Sequence, residues 1–402
     1  MIPSLLPIAL GVAVSLGAET LARPSPLPTG LRPTHDAWSF ARAGGIRGIT
    51  IGPIESMRHP GRGYGTEANG RALDEAVALG ATWVSLTPFG RVHDLTPDGI
   101  DLSFEAPFEE NRRAVVAAVR QAKARGLRVM LVPHLWVESR EWRALIDPGS
   151  DEGWRAWADA YRSFLLAWAA VAAEADVDLL SIGVELRSWV TTPRVALLLP
   201  IIEEVRAQYS GLLTYSSNWD DAEATLVWDA VDLIGINAFY PLAEKDGAGF
   251  PELEAGGVRV AAQVDAFART LGKPVVLTEV GYTTRPDPAV RPWEWPDDMK
   301  EVEVDEEAQA LAYRALLGPF IHAESCAGFF VWRYYADPQD VSQEAAWGFS
   351  PRGKLAEVVI RDAFAAHFAV DGPWLPGQAG GRHRARNPWA YGWEPGPALF
   401  QY

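Results

Sequence analysis

Between Ile46 and Asp337 one pattern recurs: a short β-branched apolar run ends in polar or aromatic residues, and an amphipathic stretch usually follows. The runs are IRGITIGP from Ile46, TWVSLTPF from Thr82, RVMLVPHLW from Arg128 and DLLSIGVEL from Asp178, then LLTYSSNW from Leu212, VDLIGINAFY from Val231, KPVVLTEVGY from Lys273 and AGFFVWRYY from Ala327. Near-continuous apolar runs are what parallel strands covered on both faces require. Thr66 predicts an N-cap and Gly80 a stop for the first helix, and Gly126 ends the second. In the third, Trp154, Trp157, Tyr161, Phe164, Leu165 and Trp168 follow three- and four-residue steps, an apolar stripe that packs on a sheet. Further helices are predicted from Pro193, Val258, Asp305 and Lys354. The fifth and sixth runs start only 19 residues apart, so any helix between them is a turn or two long.

Eight such units predict an α/β fold, a single (β/α)8 TIM barrel over residues 41–370. A doubly wound open sheet would want a glycine-rich phosphate loop after the first strand, and ITIGPIES has one glycine. The flanks differ in character. Residues 1–22 hold an apolar run of secretory h-region length, without the basic residues that usually precede one, and 23–40 read as a linker. This predicts a secreted or periplasmic protein, or a cytoplasmic one if the leader is not a signal. Residues 371–402 are an extended tail rich in Pro, Gly and Trp.

Composition removes several alternatives. With Lys+Arg 36 against Asp+Glu 52, the net charge of −16 opposes binding to nucleic acid or anionic lipid. The single thiol, Cys326, excludes a disulfide framework and Cys-based metal sites, and the seven scattered His residues suggest no metal site either. No cofactor, nucleic-acid partner or membrane span is expected, and the chain reads as a monomer. Seventeen Trp residues exceed ordinary packing needs.

In a parallel barrel the functional residues stand at the C-terminal ends of the strands. Those ends carry His134 and Trp136, Glu185 and Arg187, Asn218 and Trp219, Asn237 and Tyr240, Glu279 and Tyr282, and Trp332 and Arg333. Glu185 and Glu279 each close an apolar strand, where a charge is costly unless paired or functional. They lie on strands four and seven, roughly opposite in an eight-membered ring. Two facing carboxylates can supply a proton donor and a nucleophile to a glycosidic bond. Aromatic rings offer faces to sugars, and Asn, His and Arg bond hydroxyls. Two Glu–Arg ion pairs at the rim, with Arg187 and Arg333 as partners, are the alternative. His134, Trp136, Asn218, Trp219, Asn237, Tyr240, Tyr282 and Trp332 are the candidate substrate-binding residues. Trp293, Trp295 and Trp347 are further candidate walls, for which loop packing is an equal reading.

At these residues the chain resembles glycoside hydrolase family 113, a (β/α)8 group in a large retaining clan whose members are chiefly β-1,4-mannanases. The ordered stretches SIGVEL, TEVGY, GFFVWRYY and FSPRGK carry the resemblance, which runs from about Gly48 to Glu357. It implies Glu185 as acid/base and Glu279 as nucleophile. It also implies Tyr240 as hydrogen-bond partner of the nucleophile and Trp332 as the platform under the central sugar. Where much of the clan has Asn before the acid/base, this chain has Val184. Another group must then bind the sugar 2-hydroxyl, with Asn218, Asn237 and His134 as candidates. The resemblance implies a neutral β-linked oligo- or polysaccharide as partner. A clan glycosidase or transglycosidase acting on another β-hexoside, and a non-catalytic carbohydrate-binding barrel, are the competing functions. The loops at 245–257 and 284–305 would decide endo against exo action.

Overall fold

The computed structural model describes residues 45–54, 59–103, 106–294, 302–339, 344 and 346–367. The leader, linker and tail, and Trp295, lie outside the described residues. Eight parallel strands close into a barrel in the order β1 (Ile46–Gly52), β2 (Trp83–Leu86), β4 (Arg128–Leu131), β6 (Leu179–Val184), β7 (Leu212–Asn218), β8 (Leu233–Asn237), β9 (Val275–Val280) and β10 (Cys326–Tyr335), which pairs back with β1. Around it lie α1 (Glu67–Leu79), α2 (Phe108–Lys123), α3 (Asp151–Glu174), the short α4 (Arg187–Val190), α5 (Leu199–Gln208), α6 (Phe250–Leu271), α7 (Glu306–Phe320) and α8 (Leu355–His367). Thr66 caps α1 through its side chain and Gly80 ends it in the left-handed region.

Two of the predicted runs are each divided by a proline. After Pro88 and Pro133 the chain forms β3 (Phe89–Val92) and β5 (His134–Val137), which pair with each other in a small parallel sheet above the barrel. Proline has no N–H for a central ladder, so the strand is interrupted there. Between β7 and β8 the only helix is a 3-10 turn, Trp228–Ala230. Helix α6 starts at Phe250, not Val258, so most of the presumed 245–257 loop is helical. Gly256 and Gly257, which weaken a helix reading, are there because the helix is approached closely. A Cβ on them would lie 2.0 Å from the Leu242 carbonyl oxygen and 1.9 Å from that of Ala315.

The lumen is layered. At the bottom Ile46, Trp83, Met130, Leu179, Leu212, Leu233, Val276, Ala327 and Phe330 form a buried apolar plug. Gly48 makes room for it, since a Cβ there would sit 2.1 Å from the Phe330 ring. In phase with these residues, one or two steps higher, come buried hydroxyls: Thr50, Ser85, Ser181, Ser216 and Thr278. The acids stand above them.

Candidate active site

Strict alternation would send Glu279 away from the lumen and Glu185 towards it, and each strand carries a β-bulge before its acid. On β9, Val276 and Thr278 face inward. The register of β8 against β9 then slips by one residue between Ile236 and Asn237, so that Asn237 pairs with Glu279 and Glu279 turns inward beside Thr278. On β6 the register slips between Ser181 and Val184. Ile182 and Gly183 both face the helices, Val184 returns to the lumen among the apolar plug residues, and Glu185 follows at φ 50°. That left-handed turn is costly for a residue with a side chain, and it swings the carboxylate over the mouth. Three polar groups of the backbone around this bulge find side-chain partners. Tyr161, from the aromatic stripe of α3, donates to the Ile182 carbonyl at 2.9 Å. The Ser181 hydroxyl donates to the Gly183 carbonyl at 2.9 Å, and Leu186 N–H donates to the Tyr215 hydroxyl at 2.6 Å. Gly183 must lack a side chain, because a Cβ would lie 2.9 Å from the Tyr161 hydroxyl.

The two carboxylates are both buried, Glu185 8% and Glu279 6% exposed, and Asn237 stands between them. The Asn237 amide donates to Glu185 Oε1 at 2.9 Å and its oxygen accepts from Thr278 at 2.9 Å, which fixes which end is the donor. Asn237 also stands beside Glu279 in the β8–β9 ladder and favours its charged form. Glu185 Oε2 accepts from the Trp142 indole N–H at 2.9 Å, with an Arg143 nitrogen 3.7 Å away. Glu279 Oε1 has no hydrogen-bond partner among the described residues; the nearest basic group is His134 Nε2 at 3.5 Å. Burial first, then the charge of Glu185, push the Glu279 carboxyl well above the ordinary carboxylate range, against the opposing pull of Arg143, Arg333 and Asn237.

His134 is itself buried, and burial together with Arg143 and Arg333 holds it well below the ordinary imidazole range. It is neutral. An Arg143 nitrogen, which can only donate, faces Nδ1 at 3.4 Å, so the ring proton belongs on Nε2, aimed at Glu279. Trp332 stacks on this imidazole at 5.9 Å, and the Arg333 guanidinium lies 4.7 Å from the same indole while donating to the Tyr335 hydroxyl.

Neither glutamate is clasped by Arg187 or Arg333, the partners that would make it a rim ion pair. Arg187 is held by Asp220 at 2.7 Å and Asp221 at 2.5 Å. Arg333 approaches Glu279 only as a neighbouring charge. The remaining candidates divide. Asn218 spends its amide on Asp220 at 2.6 Å. Trp136 is 52% exposed on β5 and free to meet a ligand. Tyr282 is fully buried, edge-on to Tyr313, and offers no face to a sugar. Tyr240 packs on Trp219 at 5.5 Å, and its hydroxyl has Glu223 and Asp220, not Glu279, as charged neighbours. Both rings line a cavity of about 400 Å³ between β8 and α6, where the short β7–β8 connection leaves the barrel wall uncovered, and neither glutamate lines it. Trp293 stacks on Trp219 at 5.4 Å, whereas Trp347 is buried. Sequence reasoning missed Trp142 and Arg143. Their signal was Pro133: once β4 is ended before it, the segment through EWR belongs to the mouth.

A closed (β/α)8 barrel with two buried carboxylates at its mouth is the arrangement of the barrel glycoside hydrolases. The model of Glycoside Hydrolase Family 113 matches residues 57–354. The chain belongs to glycoside hydrolase family 113, and is a glycoside hydrolase. Among solved structures it is similar to the family 113 β-mannanase AaManA of Alicyclobacillus acidocaldarius, with 25% identity over 81% of this chain and 98% of that one, at a TM-score of 0.66. A family 113 β-1,4-mannanase shares 21% identity over 80% and 99% of the two chains, at 0.67. A family 5 mannosidase from Rhizomucor miehei shares the fold at 12% identity, 82% and 94% coverage and a TM-score of 0.55. No curated protein sequence matches the chain.

Proposed function

We propose that this enzyme is a retaining hydrolase of the β-mannanase type, cleaving β-linked mannan or manno-oligosaccharides by double displacement. Glu185 protonates the leaving glycosidic oxygen as the Glu279 carboxylate attacks the anomeric carbon; the C–O bond breaks and a glycosyl ester forms. Water, losing its proton to Glu185, then attacks the same carbon and releases Glu279. The observation that carries this reading is the pair of buried carboxylates on either side of Asn237, Glu185 accepting a hydrogen bond at each oxygen and Glu279 Oε1 accepting none among the described residues, with neither clasped by Arg187 or Arg333.

The pair needs one proton for the first step, placed on Glu185. In the empty site burial favours the proton on Glu279. A glycosidic oxygen accepting from Glu185 would favour the productive arrangement, with Arg143, Arg333 and the His134 Nε2–H offsetting the charge left on Glu279. Trp332 and Trp136 are the walls best placed for sugar faces. Val184, turned into the plug, leaves the 2-hydroxyl to a mouth residue, and His134 is the candidate whose Nε2 is free of other hydrogen bonds.

The test is a panel of soluble β-mannan, glucan and galactan, with the anomeric configuration of the first product followed by NMR. Cleavage of mannan with retained β configuration is expected. Inversion would overturn the double displacement; preference for another polysaccharide would overturn the mannan assignment. Binding without cleavage by the wild-type protein would favour a non-catalytic barrel.

A further inference from the structure

Glu185 is reached from outside the first ring of contacts by a chain of three loops. The Trp142 indole N–H donates to Glu185 Oε2 at 2.9 Å. The Arg187 guanidinium lies over the face of that indole, 4.7 Å from the ring centroid. Arg187 is in turn locked from the β7 loop by Asp220 at 2.7 Å and Asp221 at 2.5 Å. Asp220 is itself held by Asn218 at 2.6 Å. Arg187 stands two residues from Glu185 in sequence yet makes no ion pair with it. A cation on the π face attracts the ring electrons and makes the in-plane N–H a stronger donor.

We propose that Trp142 and Arg187 form a positioning relay for Glu185, in which Arg187 strengthens the indole N–H bond to Oε2 and so favours the ionised carboxylate that must act as base when the glycosyl ester is hydrolysed. This rests on the acid/base assignment of Glu185. The other charged and titratable groups around Glu185 are Arg143 and His134 from the β5 side, Asp220 and Asp221 from the β7 loop, Tyr215 on β7 and Glu279 on β9. The two aspartates would disfavour an ionised Glu185 if left uncompensated. Arg187 therefore has two routes to it, one through the indole and one through space, and a double-mutant cycle separates them.

The measurement is the basic limb of the kcat/KM–pH profile on an aryl β-mannooligoside with a poor leaving group. Trp142→Phe keeps the ring and removes the N–H, and the limb should move up by about one pH unit. Arg187→Met should move it in the same direction by less than that in the wild-type background, and by less again in Trp142→Phe, where only the route through space remains. Arg187→Lys should restore part of the shift. On a dinitrophenyl glycoside, which needs no proton for departure, glycosylation should change less than threefold in either variant. An unmoved limb in Trp142→Phe, or an equal Arg187→Met shift in both backgrounds, overturns the relay. If Glu185→Gln still cleaves the poor substrate at the wild-type rate, the acid/base reading fails instead. Without any cleavable mannoside, or with a variant that does not fold, the Trp142 indole ¹⁵N–¹H resonance decides. It should titrate with Glu185 in the wild type, with a higher midpoint in Arg187→Met; a resonance indifferent to Glu185→Gln refutes the contact.

Discussion

The surroundings of Glu185 and Glu279 differ more than their matching positions in the barrel suggest. Both oxygens of Glu185 accept from N–H donors that cannot take a proton back, Trp142 and Asn237. Glu279 has the more apolar seat, an oxygen without a partner, and a neutral imidazole facing it. One carboxyl is held in place by hydrogen bonds, the other is held by burial and made uncomfortable. The difference teaches that two identical side chains can be given separate tasks through their donors and their solvation alone.

Breaking the comparison at its centre should have the largest effect. Glu279→Ala and Glu185→Ala should each lower hydrolysis of mannan by about 10²–10⁴-fold or more. Azide should rescue the acid/base variant on an activated aryl glycoside, giving the β-azide. Rescue of Glu279→Ala to an α-azide instead is the result expected at the nucleophile, so product configuration tells the two apart. Exchange of those outcomes would reverse the assignment.

His134→Phe comes next. It keeps the apolar seat and removes the Nε2–H, so Glu279 should hold its proton to higher pH. The acid limb of kcat/KM should move up by about half to one pH unit. An unchanged limb would mean that His134 does not support the Glu279 charge.

The smallest effect is on stability, and its sign sharpens the contrast. Glu279 is raised above its ordinary 4.5 in the folded protein, so near neutral pH burial of its charge, or uptake of a proton, costs stability. That cost disappears as pH falls toward the unfolded value. Glu279→Gln should therefore raise the Tm by about 1–4 °C at pH 7 and have little effect near pH 4. Glu185→Gln should lower the Tm, because a Gln NH2 would face the Trp142 or Asn237 donor. Shifts of the same sign in both variants would contradict the two environments described.

Much of the barrel was legible because its signals are local: apolar runs, Thr66, Gly80, and the glutamates at strand ends. The short β7–β8 connection could be read from spacing alone. Pro88 and Pro133 were read through, although a missing N–H is a visible reason to end a strand. The bulges that aim Glu185 and Glu279 left little trace, since an extra residue in a buried run resembles a longer run. Gly183 is their one mark. The Trp142 contact and the imidazole tautomer depend on loops meeting across the mouth, which no spacing in the chain encodes. The neighbours of the Tyr240 hydroxyl are of the same kind: a strand-end position was readable, and the acids its ring would meet were not.

The apolar plug of Trp83 and Phe330 under the hydroxyl layer makes the barrel a cup and not a tube. Nothing drains through its floor. A saccharide lying over the mouth would act as a stopper, and in the proposed double displacement the water that frees the glycosyl ester would enter through the place vacated by the departing half of the chain. The order of the two half-reactions would then be enforced by plumbing as well as by chemistry.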